Sequence, residues 1–136
     1  MKERPIILIV DDEPEVCDFL KEFLEMKGYA VLTALSGADA LRYVQEQPLD
    51  LLLLDIKMRG MDGIETLRRI RALNRTLSVI MLTGVNDEEI ATQTMREGAQ
   101  DYLVKPLNLS YLELIILTEL AAERTNRPGP PLRGHG

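Results

Sequence analysis

The chain has 136 residues, 46% of them apolar, and a formal charge of −6 at neutral pH. That length and apolar content suit one domain with a real core. The acidic balance argues against direct nucleic-acid or anionic-membrane binding, since both rely on basic surface. Three arginines and no acids in residues 124–136 leave a formal −9 on residues 1–123, so the acids belong to the body of the chain.

Residues 6–10, Ile-Ile-Leu-Ile-Val, read as a buried strand. Their run is far too short for a signal core or a membrane span, and the expectation is a soluble cytoplasmic protein. Val16, Phe19, Leu20, Phe23 and Leu24 then recur at helical spacing, with Pro14 in the first turn and Gly28 just past the end. Cys17 is the only cysteine, which excludes an intramolecular disulfide and suits a reducing compartment. It lies beside the apolar stripe and reads as a buried, inert thiol. Residues 29–34 form a second strand, Ser36 an N-cap, and Ala38 to Glu46 a second helix stopped before Pro48.

In Leu-Leu-Leu-Leu-Asp-Ile-Lys, residues 51–57, four consecutive leucines suit a strand covered on both faces. Asp55 stands at its carboxyl end, where open parallel sheets place their ligand crevices. A third helix over 63–73 takes Ile64, Leu67 and Ile70 to Leu73 as its stripe, and residues 77–82 form strand four. Asn86 with Glu89 three residues on has capping-box spacing and opens a fourth helix that reaches about Gly98. Strand five covers 101–104 and the last helix 107–123. In 124–136, six of thirteen residues are proline or glycine, the composition of a disordered tail or linker stub. The only histidine, His135, lies there and reads as inert. The domain therefore spans 1–123.

Five strand-helix units imply an α/β fold, a parallel sheet with helices on both faces and right-handed connections. The strand ends then share one edge: Asp11, Asp12 and Glu13 after strand one, Asp55 after strand three, Thr83 after strand four, Lys105 and Pro106 after strand five. Taken singly, each has a plainer role as a cap, a loop acid or a solvated lysine. That plainer account does not explain why every polar strand end faces the same way. Clustered carboxylates repel unless a hard divalent cation binds them, and magnesium, which takes few carboxylates and keeps several waters, is the natural candidate.

The stretches Leu-Ile-Val-Asp-Asp-Glu-Pro-Glu-Val from Leu8, Leu-Leu-Leu-Leu-Asp-Ile-Lys-Met-Arg-Gly-Met-Asp-Gly from Leu51, Ile-Met-Leu-Thr-Gly from Ile80 and Gly-Ala-Gln-Asp-Tyr-Leu-Val-Lys-Pro from Gly98 carry a family resemblance. In order and spacing they resemble the motifs of bacterial response-regulator receiver domains, over about residues 5 to 121. The resemblance implies a flavodoxin-like fold with strand order 2-1-3-4-5. It makes Asp55 the phosphoacceptor, taking a phosphoryl group from a sensor histidine kinase or phosphotransfer protein as an aspartyl phosphate. Asp11, Asp12, Asp55 and the backbone carbonyl of Lys57 would hold Mg2+, while Lys105 and Thr83 would steady the phosphoryl oxygens. Thr83 and Tyr102 would form the switch, and Pro106 would follow a cis peptide. Such a domain signals rather than catalyses, with only self-directed phosphotransfer and autodephosphorylation expected.

One position departs from the family pattern. After Asp-Ile-Lys-Met the family usually has proline, and here stands Arg59, which implies a more mobile loop or a partner-facing charge. In the last helix Leu109, Leu112, Ile115, Ile116 and Leu120 form a core face, with Leu114, Leu117 and Ala121 roughly opposite. That second stripe suggests a homodimer or output partner through helix 4, strand 5 and helix 5. Nothing in the sequence resembles an effector domain, so the expectation is a stand-alone receiver or one cut from a larger regulator.

Three rival readings differ at named residues. A flavodoxin needs an anion-cradling first loop, and Asp11 to Glu15 repel anions. An aspartate-nucleophile phosphatase resembles this set but carries a second Asp two residues after the nucleophile, where this chain has Lys57. A phosphorylation-independent adaptor keeps the fold without needing so complete a site.

Overall fold

The computed structural model describes residues 4–84 and 88–126, with side chains as far as residue 122. Five strands and five helices alternate: β1 (Ile6–Val10), α1 (Pro14–Met26), β2 (Ala30–Ala34), α2 (Gly37–Glu46), β3 (Leu51–Asp55), α3 (Gly63–Leu73), β4 (Ser78–Thr83), α4 (Glu88–Arg96), β5 (Asp101–Val104) and α5 (Leu109–Asn126). The strands form one sheet in the order β2-β1-β3-β4-β5, and every neighbouring pair is parallel. The parallel sheet is the one the alternation predicts, and its strand order is the flavodoxin-like one that the family resemblance implies.

Strand alternation splits the core into two layers. Ile7, Ile9, Leu51, Leu53, Ile80, Leu82 and Leu103 pack with Cys17, Leu20 and Leu24 of α1 and Leu112 and Ile116 of α5. Leu8, Val10, Leu52, Leu54, Val79 and Met81 pack on the other side with Ala40 of α2, Leu67 and Ile70 of α3, and Ile90 of α4. All four leucines of β3 are fully buried, which accounts for their unbroken run.

The helix ends show why the elements stop where they do. Pro14 opens α1, and Gly28, just after its C-cap, has φ +99°. Ser36 Oγ accepts from the Asp39 N–H at the start of α2, as expected. Two caps were not anticipated: Asp62 accepts from the Glu65 N–H before α3, and Asn108 accepts from the Tyr111 N–H before α5. The Asn108 cap starts α5 at Leu109 rather than at 107, and the helix runs three residues past position 123. β4 begins at Ser78 because the Leu77 N–H turns back to Asn74 Oδ1, and it extends through Thr83, paired with Val104. Asn86, the expected cap of α4, and residues 127–136 with His135 lie outside the described residues.

Two side chains expected in helical core stripes are exposed instead, Phe19 at 57% and Leu73 at 47%. Phe19 lines an open groove with Val16, Leu20 and Leu107 rather than entering the core, and Leu73 is the last residue of α3. Leu114 and Leu117 on α5 are exposed, as the second stripe requires. At the far end of the molecule, Arg71 donates to the Gly98 carbonyl at 2.7 and 2.9 Å, to the Asn74 carbonyl at 3.1 Å and to Gln100 Oε1 at 2.8 Å. Gln100 Oε1 also accepts from the Val79 N–H, and Arg68 pairs with Glu97 at 3.1 Å. Among the described residues, no helix is long and apolar enough to cross a membrane.

Candidate functional site

The alternation that builds the core also builds the site. Ile7 and Ile9 face α1 and α5, and Asp11, two residues further, continues that face; Leu51 and Leu53 lead to Asp55, and Leu103 to Lys105. Asp11 stays in the ladder, its N–H donating to the Ala34 carbonyl at 3.1 Å, and the Lys105 N–H likewise donates to the Thr83 carbonyl at 2.7 Å. Three strand ends thus deliver two carboxylates and one ammonium to the same edge.

Lys105 Nζ lies 3.0 Å from Asp55 Oδ1 and 3.3 Å from Asp11 Oδ2, with both acids buried. Asp11 Oδ1 accepts from the Glu13 N–H at 2.9 Å, which fixes its carboxylate plane. Asp12 is less buried and completes a set in which one oxygen from each of Asp11, Asp12 and Asp55 lies within 4.8 Å of the others. A cleft of ≈ 470 Å³ opens over them, lined by Asp12, Glu13, Asp55, Lys57, Arg59, Gly84 and Lys105.

Burial pushes the Asp55 carboxyl above its ordinary range, and the charges of Asp11 and Asp12 push the same way, against the opposing Lys105 ammonium. Burial alone would lower Lys105, but Asp55 and Asp11 outweigh it and raise the ammonium's pKa. A buried carboxylate disfavoured by its own neighbours is a place where a positive charge is wanted. The donor set is all carboxylate oxygen, shallow and open on one side, which fits a hard divalent cation such as Mg2+.

The other expected residues fall around this centre. Thr83 ends β4 one position beyond Leu82, the register partner of Asp55; it is buried, and its hydroxyl donates to the Gly84 carbonyl at 3.4 Å. Tyr102 is half-buried against the opposite layer of the core, with Ile90 of α4 in the same cluster. Lys57 is exposed at the cleft wall. The Lys105–Pro106 peptide is cis.

Two features of the site went beyond the sequence reading. Arg59, expected as a loosened loop or an outward charge, donates its backbone N–H to Asp12 Oδ2 at 2.9 Å and its Nε–H to the same oxygen at 3.2 Å. Its backbone hydrogen bond is the main reason the Asp12 carboxyl sits below its ordinary range. The departure from proline was the available signal, but the partner, 47 positions away, was not legible. Gly63, at the start of α3, donates its N–H to the Ile56 carbonyl at 2.8 Å, and a Cβ there would overlap the Asp55 carbonyl and stand 2.6 Å from Ile56 Cα. The helix thereby braces the chain that carries Asp55.

Residues 7–117 match the response regulator receiver domain family. The chain is 42% identical over 118 residues to the transcriptional regulatory protein ZraR of Salmonella typhimurium, covering 87% of this chain and 27% of that protein. It is 35% identical over 127 residues to the transcriptional regulatory protein KdpE of Mycobacterium tuberculosis, covering 90% of this chain and 56% of that one. The chain therefore spans about a quarter of the length of ZraR and about half that of KdpE. Among solved structures, a response regulator receiver domain protein from Clostridium thermocellum superposes with a TM-score of 0.85 at 33% identity, covering 89% of this chain and 98% of that one. NtrX from Brucella abortus gives 0.87 at 30% identity, covering 91% of this chain and 28% of that one. With most of its length inside that match, the chain belongs to the response regulator receiver domain family of two-component systems.

Proposed function

We propose that this receiver takes a phosphoryl group onto Asp55 from a phosphohistidine of a sensor histidine kinase or phosphotransfer protein in the cytoplasm. The observation that carries the reading is the placement of Lys105 Nζ against both Asp55 and Asp11 at the mouth of an acidic cleft. An Asp55 oxygen forms the new bond to phosphorus as the bond to the donor imidazole breaks, and the imidazole nitrogen keeps that electron pair. The Lys105 ammonium stands ready to stabilise charge on the phosphoryl oxygens, and the Asp55 backbone is held by β3 pairing and by the close approach of Gly63. Asp11, Asp12, Asp55 and the backbone carbonyl of Lys57 would hold Mg2+, which when bound supplies positive charge to the same oxygens.

The signal then leaves through Thr83 and Tyr102. A phosphoryl oxygen that accepts from the Thr83 hydroxyl draws the end of β4 toward Asp55, and Tyr102 repacks against the α4 side of the core. The α4, β5 and α5 face, with Val104, Tyr111, Leu114 and Leu117 exposed, is the surface that reads out this change to a homodimer or output partner.

The test is intact-mass spectrometry after incubation with acetyl phosphate and Mg2+, beside Asp55→Asn and a metal-free control. One added phosphoryl mass that needs both Asp55 and Mg2+ is expected. No gain from acetyl phosphate or from a phosphorylated kinase would overturn the proposal in favour of a phosphorylation-independent adaptor.

A further inference from the structure

We propose that Arg59 is a resident counter-cation for Asp12 that competes with the divalent metal and weakens its binding to this site. This inference rests on the reading of Asp11, Asp12 and Asp55 as the metal-holding set. Both Arg59 donors converge on a single oxygen, Asp12 Oδ2. Proline, the residue usual in the family at this position, has neither a backbone N–H nor a charge and could make neither contact.

The charge balance decides the sign of the effect. Three carboxylates face Lys105 and Arg59, leaving one net negative charge for an incoming dication. An uncharged residue at position 59 would leave two, which matches the dication. The pairing itself holds Arg59 loosely, because its side chain is 87% exposed and exposed ion pairs contribute little. A metal can therefore displace the guanidinium, but it binds against the repulsion of a like charge a few ångströms away.

Titration of the intact chain with Mg2+ by isothermal calorimetry at low ionic strength tests this. Arg59→Ala, which keeps the backbone N–H and removes only the guanidinium, should bind Mg2+ about three- to tenfold more tightly, and added salt should shrink the gain. Arg59→Lys should stay near the parent. In an Asp12→Asn background the Arg59→Ala gain should vanish, the signature of coupling between the two side chains. The Arg59 Nε–H resonance of the parent protein should shift toward that of a free guanidinium as Mg2+ is added.

Unchanged or weaker Mg2+ binding by Arg59→Ala overturns the inference, as does a gain that persists with Asp12→Asn. Parent binding that is lost in Asp11→Asn upholds the metal-site reading whichever way Arg59→Ala falls. Absence of Mg2+ binding in every variant overturns both.

Discussion

Lys105 Nζ bridges Asp55 and Asp11, residues from opposite ends of the chain's first half, and its 3.0 Å contact with Asp55 is the shorter. Removing the ammonium leaves two buried carboxylates facing each other with no cation between them. Lys105→Met should therefore slow acetyl-phosphate labelling of Asp55 on the order of 100-fold, the scale of losing one charge-stabilising donor. A labelling time course followed by intact mass measures it, and a rate equal to the parent's would remove Lys105 from the chemistry.

Asp55 itself should cost stability in the absence of metal. Its acid form is favoured by the fold, so the folded chain holds a proton over a pH range in which the unfolded chain has released it. Stability accordingly falls as pH rises through that range, which starts near the ordinary carboxylate pKa, and the deficit persists above it. In EDTA at pH 7, Asp55→Asn should melt above the parent, and the gap should narrow as pH falls toward 4. If Asp55 is a metal ligand as proposed, Mg2+ should reverse the order: at ten times its Kd it would stabilise the parent by about 1.4 kcal/mol, and the variant would lack that ligand. Thermal melts with and without the metal check both halves.

Gly63→Ala should be among the most damaging small substitutions near the site. Its Cβ would overlap the Asp55 carbonyl and crowd Ile56 Cα, backbone atoms that cannot swing aside. The expected loss is roughly 2–3 kcal/mol in urea unfolding, at the upper range of overpacking, with slower phosphorylation as Asp55 is displaced. A parent-like midpoint would mean that α3 shifts freely.

Cys17 should be inert in the folded protein. Burial and the charge of Asp11 push its thiol up to about 11, and its Sγ lies 3.4 Å from the Asp11 carbonyl. At pH 8 a disulfide reagent should label it at the rate of unfolding, and urea should release the reaction. Fast labelling without denaturant would show that α1 opens locally.

The strands were legible because a parallel sheet buries both faces of its central strands, leaving runs such as Leu51–Leu54 that no amphipathic helix shares. Asp11, Asp55 and Lys105 stood out as polar residues at the ends of those runs, because a parallel sheet brings the carboxyl ends of its strands to one edge. Stripe membership was harder: Phe19 and Leu73 have the right spacing, yet Phe19 faces an open groove and Leu73 stands at the end of its helix, and both are exposed. The Asp62 and Asn108 caps carried readable signals, an Asp three residues before Glu65 and an Asn just before the helix. The Arg59–Asp12 contact and the Gly63 approach depend on how loops from β1 and β3 meet in space, information that no local pattern holds.

The cluster around Arg71 has a mechanical meaning. Arg71 grips the Gly98 carbonyl and Gln100, and Arg68 holds Glu97, so the carboxyl end of α4 is moored to α3. Any displacement of α4 is then a swing about a fixed pivot rather than a slide. Nine residues make a lever about 13 Å long, so a tilt of about 10° about that end would carry Glu88 roughly 2 Å while Arg96 barely moves. Under the switch proposed for Thr83, the moored end would turn a small pull there into an angular displacement, which a partner laid along the helix would feel as a gradient.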